Sequence, residues 1–167
     1  MRSEGRDIRA SLVGDTAGGN SSGTVPGVTV EYEWRGAFTN AEVNELHAEA
    51  FETRVYDETE WDWWDLVHRH SLGWVVARDG ARLVGFVNVV WDGLLHAWIQ
   101  DTMVAEAARH QGIATNLVAA ARDAARDAGC EWLHVDFEDH LRALYIDACG
   151  FTPTQAGLIE LQGGSLG

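Results

Sequence analysis

The chain has 167 residues, of which 46% are hydrophobic, enough for one domain with a substantial core. Its formal net charge is -14, because 26 acidic residues face 12 arginines and no lysine. A nucleic-acid partner is therefore excluded, since contacts to phosphates need a basic face. An acidic protein attracts cations, which favours a positively charged amine as substrate, although acidity also serves solubility alone.

Cysteine content and hydropathy give further expectations. Cys130 and Cys149 are too few for a disulfide framework or a four-ligand zinc site, and we interpret them as buried free thiols. No apolar run reaches the roughly 18 residues of a membrane span, and residues 1–20 lack the apolar segment of a signal peptide. We therefore expect a cytoplasmic protein with no membrane partner. Residues 1–27 are rich in Gly, Ser, Thr and Asp and predict a disordered tail before one domain over 28–167.

The first half of the domain contains signals for one strand and two helices. Hydrophobic alternation over residues 28–34 predicts a strand. Thr39 with Glu42 three residues later matches a capping box, which predicts that a helix begins there. The stretch 56–70 mixes acids with tryptophans and predicts a second, short helix.

The second half predicts a mixed sheet with further helices. Strands are expected at 73–78 and 82–91, joined by an Asp79-Gly80 hairpin turn, and at 94–104 after a second turn. A loop and an Ala-rich helix follow over 106–128, then a strand over 130–137, a helix over 138–149 ended by Gly150, and a last strand over 151–161 interrupted near Pro153. This order implies a mixed sheet flanked by helices.

The segment from Arg109 to Ala114 reads Arg-His-Gln-Gly-Ile-Ala and joins the strand that ends at Val104 to the Ala-rich helix. A helix that starts directly after a strand points free backbone NH groups at one spot, which suits a phosphate-bearing ligand. Gly112 would allow the backbone to approach that ligand closely. The sequence therefore predicts chemistry on a phosphate-tailed cofactor.

The residues from 101 to 151 resemble the GNAT superfamily of acyl-CoA-dependent N-acetyltransferases. Its pyrophosphate signature is matched by Arg109, Gly112 and Ala114, and its C-terminal aromatic pattern by Leu144-Tyr145 ahead of Gly150-Phe151. The resemblance implies an α+β fold, with a mixed, largely antiparallel sheet of six to seven strands flanked by about four helices. It also implies that acetyl-CoA is the co-substrate.

The resemblance assigns coenzyme-binding residues to two stretches and one further position. They are Thr102, Met103 and Val104 in the strand, then Arg109, His110, Gln111, Gly112, Ile113, Ala114 and Thr115, and finally Glu138. The backbone NH of Val104 matches the family position, at a strand bulge, that holds the thioester carbonyl. Arg109 could contact phosphate or pair with Glu106. Many relatives have Asn at the position of Glu138, and a carboxylate cannot donate a hydrogen bond as an amide does.

Transfer to an amine needs a base and an acid. Tyr145 matches the family's usual proton donor to the coenzyme A sulfur. Asp101 is the first choice as base because it resembles an acidic residue often found where this strand approaches the acceptor, although strand alternation places Gln100 on the face of Trp98 and His96. Since Gln cannot take a proton, His96 and His134 stay open as alternative bases, each acting through water.

The acceptor side is predicted from the segment after the first helix, which commonly borders the acceptor pocket in this family. Candidate substrate residues are Asp57, Glu60, Trp61, Asp62 and Trp63, with His96, Gln100 and His134 on the strands. Acids beside Trp faces suit an ammonium group, so we expect a small cationic amine such as a polyamine, an aminoglycoside-like compound or an amino acid derivative. Alternatively, the tryptophans fill the core and the acids cover a solvated helix face.

Two other functions stay open at this point. The chain could acetylate a protein N-terminus or lysine, which a peptide groove would favour, or it could be a non-catalytic acyl-CoA-binding sensor. No metal site is expected, because the seven His residues and the acids show no HExxH or comparable spacing. Whether two subunits join through their sheets into a homodimer also stays open.

Overall fold

The computed structural model describes residues 29–159 and 161, so the tail predicted at 1–27 lies outside the described residues. Within these described residues, five strands form one sheet in the order β1-β2-β3-β4-β5, antiparallel from β1 to β4 and parallel between β4 and β5. The strands are β1 (Val30–Trp34), β2 (Ser71–Asp79), β3 (Arg82–Trp91), β4 (His96–Val104) and β5 (Trp132–Val135).

In the part of the chain that the structure describes, three α-helices and one π-helix accompany the sheet. They are α1 (Asn40–Phe51), α2 (Trp63–His70), α3 (Ile113–Asp127) and the π-helix Ala143–Ala148, with short 3-10 turns at Glu106–Ala108 and Asp139–Leu141. The predicted α+β class with a mixed sheet and flanking helices is confirmed. Within the part of the chain that the structure describes, no helix is long and apolar enough to cross a bilayer.

The predicted count of six to seven strands was wrong, because the last predicted strand is absent: residues 151–159 contain no strand. Pro153 lacks an NH for a sheet ladder, and Leu158 and Ile159 are 97% and 78% exposed, so this segment buries no apolar face. The single helix predicted over 138–149 was also wrong, since a 3-10 turn and a π-helix divide it.

The two faces of the sheet are covered by different helices. Gly85 on β3 faces α3 so closely that an added Cβ would lie 2.9 Å from the Leu117 side chain and 3.1 Å from Ile113. The next residue, Phe86, points to the opposite face and packs against Trp63 of α2, with ring centroids 5.8 Å apart. Helices α1 and α2 therefore share one face of the sheet, and α3 covers the other.

Helices α1 and α2 begin where side chains cap their free NH groups. Thr39 caps α1 in the predicted capping box with Glu42, and Asp62 caps α2 by accepting from the NH of Asp65. Buried Asn44 joins the two helices: its amide donates to the Trp61 carbonyl at 3.1 Å, and its oxygen accepts from the Trp63 indole NH at 2.9 Å. These bonds fix the α1–α2 connection over β3 and β4.

Candidate active site

A bulge near the end of β4 shapes the centre of the sheet. Met103 pairs with Phe86 but Gln100 pairs with Asn88, so β4 has one more residue than β3 between these two pairs. The bulge contains Asp101, whose φ of 51° lies in the left-handed region that side chains other than Gly adopt rarely. The bulge thus lies two to three residues before Val104, the position that the family resemblance assigns to the thioester carbonyl.

The strands β4 and β5 part directly before this bulge. Their pairing ends at Ile99 and Val135, while β4 continues to Val104. Beyond Ile99, the edge of β4 that pairs with β5 earlier in the strand has no β5 partner. At this point the Thr102 hydroxyl is buried without a hydrogen-bond partner in the described chain, and an unsatisfied buried polar atom is costly unless a ligand completes it.

The predicted phosphate segment forms a loop in front of α3. His110 and Gly112 have φ values of 61° and 78°, and Gly112 is the N-cap of α3 without a side-chain cap. The first helical bond is from the Asn116 NH to the Gly112 carbonyl at 3.1 Å, which leaves the NH groups of the first turn free for an anion. No acidic side chain occupies the first turn of α3.

Arg109 is held by backbone carbonyls, and its contact with phosphate stays a prediction. Its guanidinium donates to the carbonyls of Val104 and Glu49 at 3.4 and 3.3 Å, while the Glu49 carboxylate accepts from the backbone NH of Glu106. Arg109 therefore ties the loop to β4 and α1. Among the described residues it forms no ion pair with Glu106.

Tyr145 lies in the π-helix and is 5% exposed. Its ring packs against Phe137 and Phe151, with centroid distances of 5.1 and 6.0 Å. Burial raises the pKa of the Tyr145 hydroxyl, and the nearby Thr102 hydroxyl offsets part of this without meeting hydrogen-bond geometry. The phenol is thus held in its protonated form beside the place where β4 and β5 part.

Glu138 lies at the surface, with 84% of its side chain exposed and an oxygen 3.3 Å from the His140 ring. A side chain in this environment offers a carboxylate and no donor. The predicted contact from this position to the coenzyme arm stays untested.

Asp101 is supported by a hydrogen-bonded pair on the neighbouring strands. The Ser71 hydroxyl donates to the Asn88 side-chain oxygen at 2.6 Å, and the Asn88 amide is directed to the Asp101 carboxyl. Burial raises the pKa of Asp101, and the Asn88 hydrogen bond and the charge of His47 oppose that rise. The carboxyl therefore keeps its proton to a higher pH than an ordinary aspartate does.

His47 interacts with the charge of Asp101 and was not identified from the sequence. It lies on α1, is 7% exposed, and is near enough to Asp101 for their charges to interact. Its ring contacts Phe51 and Trp61, with centroids 4.8 and 4.9 Å away. A signal was available: His47 sits four residues after Val43 and three before Ala50, in the apolar stripe of α1.

The acids predicted to face the substrate are exposed and engaged in local hydrogen bonds. Asp62 caps α2 and accepts from the Asn40 amide at 2.9 Å, and Asp57 accepts from Thr59. Glu60 accepts from the Arg54 guanidinium at 2.9 Å, and Arg54 also lies 4.2 Å from the Tyr56 ring centroid. These donors lower the pKa of all three carboxyls.

The two predicted tryptophans of this segment have different environments. Trp63 is fully buried and forms part of the core beneath the α1–α2 loop. Trp61 is half-buried and stacks on Trp63, with centroids 5.6 Å apart and planes 20° apart. Trp61, rather than Trp63, is therefore accessible to a substrate.

His96 and His134 meet across the parallel pair of β4 and β5. Their ring nitrogens are 2.8 Å apart, and Trp98 stacks on His134 with a centroid distance of 4.9 Å. Gln100 is exposed further along the same face. The structure thus groups Asp101, Thr102 and Tyr145 around the bulge and places the histidine pair near the opposite end of β4.

A comparison with protein families finds one matching family description, Acetyltransferase (GNAT) family, over residues 40–151. The match spans more than half of the chain, so the protein belongs to the GNAT acetyltransferase family and is an N-acetyltransferase. A search of curated proteins finds no match.

Solved structures share the fold. A GNAT family acetyltransferase from Streptococcus pneumoniae TIGR4 is 19% identical with a TM-score of 0.64, covering 81% of this chain and 100% of that one. AAC(6')-Iy in complex with a bisubstrate analogue is 16% identical with a TM-score of 0.65, covering 80% and 98%. Glucosamine-6-phosphate N-acetyltransferase from Arabidopsis thaliana is 14% identical with a TM-score of 0.62, covering 79% and 97%. At these identities the likeness is one of fold.

Proposed function

We propose that the protein moves an acetyl group from acetyl-CoA to the primary amine of a small cationic molecule by direct attack on the thioester. The observation that carries this proposal is the end of the β4–β5 pairing at Ile99 and Val135. It leaves the edge of β4 open beside buried Tyr145 and ahead of the uncapped N-terminus of α3. An open strand edge, a proton donor and an anion-binding helix N-terminus, arranged side by side, are what a thioester with a phosphate tail needs.

The residues present fit the coenzyme. The free NH groups at Ile113, Ala114 and Thr115 would hold the pyrophosphate, and the left-handed backbone of Gly112 turns the loop toward it. The Thr102 hydroxyl, which has no hydrogen-bond partner among the described residues, would be a polar contact for the pantetheine arm. When bound, acetyl-CoA supplies the acetyl group as an activated thioester.

Two side chains near the bulge, Asp101 and Tyr145, carry out the proton transfers. Asp101 accepts a proton from the amine, and the Ser71–Asn88 pair orients its carboxyl. Its raised pKa brings proton exchange closer to neutral pH, as general base catalysis favours. Tyr145, kept protonated by burial, donates to the departing thiolate.

Support for a cationic acceptor comes from the α1–α2 loop. Arg54 already rests over the Tyr56 ring beside Glu60, so this loop combines an acid and an aromatic face around a cation. The half-buried Trp61 presents a second aromatic face. Its ring packs on that of His47, whose charge interacts with that of Asp101. Two structural neighbours are named for small amino-sugar compounds, an acetylneamine analogue complex and a glucosamine-6-phosphate enzyme, which agrees with a small acceptor.

The test is release of free thiol from acetyl-CoA across polyamines, aminoglycosides, amino acids and peptides. We expect release with at least one small cationic amine, and a loss of about 100-fold in kcat for Asp101→Asn at neutral pH. Release with peptides alone would replace the proposal by protein acetylation. Saturable binding of acetyl-CoA without release for any amine would replace it by a sensor.

A further inference from the structure

His96 and His134 form a side-chain hydrogen bond between β4 and β5 that the proposed reaction does not use. The Nδ1 atom of His96 lies 2.8 Å from Nε2 of His134, while the two ring centroids are 5.1 Å apart and the ring planes differ by 26°. Because the nitrogens are so much closer than the centroids, the rings meet edge to edge in nearly one plane. The N–H of one ring therefore points along the lone pair of the other.

The pair lies in the paired stretch of β4 and β5, directly before these strands part. His134 is opposite Trp98, and the pairing ends one residue further on, at Ile99 and Val135. The indole of Trp98 stacks on the His134 ring, with a centroid distance of 4.9 Å and an angle of 18° between the planes. The hydrogen bond and this stack join the two strands at the base of the opening between them.

The attachment of β5 to the sheet is short. Its pairing with β4 covers four residue pairs, and among the described residues β5 is an edge strand. None of its four side chains is fully buried, and Trp132 is 61% exposed. A single side-chain bond therefore contributes a larger share of the attachment here than it would between β2 and β3, which pair over most of their length.

The edge-to-edge geometry tolerates one added proton but not two. The neutral pair has one ring N–H on each histidine, and one of these N–H groups lies in the shared bond. A third proton, on the outer nitrogen of the donor ring, leaves the shared bond in place and makes it charge-assisted. A fourth proton must occupy the accepting nitrogen, which puts two N–H groups and two positive charges head to head across 2.8 Å.

The charged groups near the pair can balance one positive charge but not two. From the β3–β4 turn, the Asp92 carboxylate accepts from the backbone NH of His96 at 3.1 Å. Backbone NH groups, and then the charge of His96, lower the pKa of Asp92. Asp136 is exposed two residues beyond His134, and neither acid forms an ion pair with a ring in the described part of the chain. The neighbouring side chains on β3, β4 and β5 carry no charge: Val90, Trp98 and Trp132.

We infer that the His96–His134 pair is a pH-sensitive latch, which holds β5 against β4 at the base of their opening and breaks when both rings are charged. Ordinary histidine titrates near pH 6.5, about the middle of the range between pH 7.5 and pH 5. Over this range the shared bond is replaced by repulsion between two imidazolium rings. β5 then loosens from the edge of β4.

Hydrogen exchange at the β5 amides of the ligand-free protein tests the latch, with rates corrected for the intrinsic effect of pH. We expect the wild-type protection of residues 132–135 to fall about tenfold between pH 7.5 and pH 5. The amides in the β2–β3 pairing should keep their protection, because no histidine pair joins those strands.

Two substitutions of His134 separate the hydrogen bond from its charge. His134→Gln places an amide near the position of Nε2, which can donate or accept but cannot gain a proton, so β5 should stay protected at both pH values. His134→Leu removes the bond, so β5 should be poorly protected at both. His70→Gln changes an exposed histidine of α2 and should keep the wild-type pH dependence.

Three results would overturn the latch. Wild-type protection of β5 that is unchanged at pH 5 would show that protonation does not break the bond. An equal fall in wild type and His134→Gln would assign the loss to other titrating groups. Protection in His134→Leu equal to that of the wild type at pH 7.5 would show that the bond does not hold β5.

The consequence for coenzyme binding rests on the proposed function, because β4 and β5 border the proposed cleft. By calorimetry, we expect the loss of coenzyme A affinity between pH 7.5 and pH 5 to be about fivefold larger in the wild type than in His134→Gln. Equal losses would overturn the coupling of the latch to the cleft. Failure of the proposed function has a different signature, since coenzyme A would then show no saturable binding even at pH 7.5, and hydrogen exchange alone would decide the latch.

Discussion

The two sides of β4 are built in different ways. On the proposed coenzyme side, the bulge, the loop and the N-terminus of α3 lie within residues 101–115, and the groups proposed to bind the ligand are mostly backbone NH groups. On the proposed acceptor side, His47, Trp61, Asn88 and Asp101 come from four separate elements and would act through their side chains. A backbone site is local in sequence, whereas a side-chain site is assembled only by packing.

Of the variants considered, Tyr145→Phe should have the largest effect on activity, because it removes the proton donor of the coenzyme side and leaves the packed ring. We expect kcat to fall by about 100-fold or more, with the affinity for coenzyme A within about twofold of the wild type. Thiol-release kinetics and calorimetry measure the two quantities. Tyr32→Phe removes the hydroxyl that accepts from Asn116 at 3.2 Å and serves as control. An unchanged kcat in Tyr145→Phe would exclude Tyr145 as the acid.

The backbone nature of the coenzyme side can be tested with two glycines that flank α3. Gly112 and Gly129 both have positive φ, 78° and 94°, and in both an added Cβ would meet nothing within 4 Å. Ala at either position should therefore cost about 1 kcal/mol in the free energy of unfolding through backbone strain alone. Only Gly112→Ala should weaken coenzyme A binding, by about tenfold, because only its loop carries the NH groups.

Thermal unfolding and calorimetry on both glycine variants decide this prediction. Equal destabilisation with a loss of affinity confined to Gly112→Ala is the expected result. If Gly129→Ala weakened binding as much, the effect would come from general loss of stability rather than from the loop.

Asp101→Asn should increase stability while it removes activity. Burial raises the pKa of Asp101 in the folded state, so the folded protein prefers the protonated carboxyl. Its stabilising contribution is therefore present below the ordinary aspartate pKa of about 3.9 and is lost as pH rises through the raised value. At pH 7 the Asn variant should unfold roughly 2–4 °C higher, equivalent to about 1 kcal/mol.

The pH dependence supplies the check on this prediction. The gain in Tm should disappear as the pH falls toward 4, where the wild-type carboxyl is protonated as well. A variant that is less stable at pH 7 would show that the ionised carboxyl contributes favourable contacts in the native state.

The smallest expected effect concerns two exposed acids of the α1–α2 loop, Asp57 and Glu60, which form the rim of the proposed acceptor side. Asp57→Asn with Glu60→Gln removes two exposed carboxylates, and Glu60→Gln also frees the Arg54 charge. We expect KM for a polycationic amine to rise about threefold at low salt and the difference to fade at high salt. Asp127→Asn with Glu131→Gln removes the same charge from the end of α3 and should leave KM unchanged. Equal effects of the two pairs would refute a local role for the rim.

Elements with strong local signals were predicted well from the sequence. The strand Arg82–Trp91 and the capping box of α1 are found as predicted, because alternation and a cap are encoded by neighbouring residues. The Ala-rich helix ends near Gly129, also as predicted. The last strand was not found, since a run of apolar residues forms a strand only when a partner edge and a buried face exist for it.

The acceptor side could be predicted only in part. The density of acids and tryptophans marked the α1–α2 loop, but not that Trp63 would be buried while Trp61 stays accessible. Asn88 was missed because it is a lone polar residue in an apolar stretch, and His47 was missed because it stands among other polar residues, Asn44, Glu45 and Glu49. Their meaning depends on Asp101, which is distant in sequence and reaches them only through the bulge of β4.

The central claim is that the loop before α3 holds the pyrophosphate of coenzyme A. Calorimetry of the purified protein with coenzyme A, and separately with pantetheine, which lacks the pyrophosphate and nucleotide, tests it most directly. We predict saturable binding of one coenzyme A per chain and an affinity for pantetheine lower by about 100-fold or more, since charge-assisted bonds to NH groups dominate. No saturation with coenzyme A, or equal affinity for the two compounds, would contradict the account.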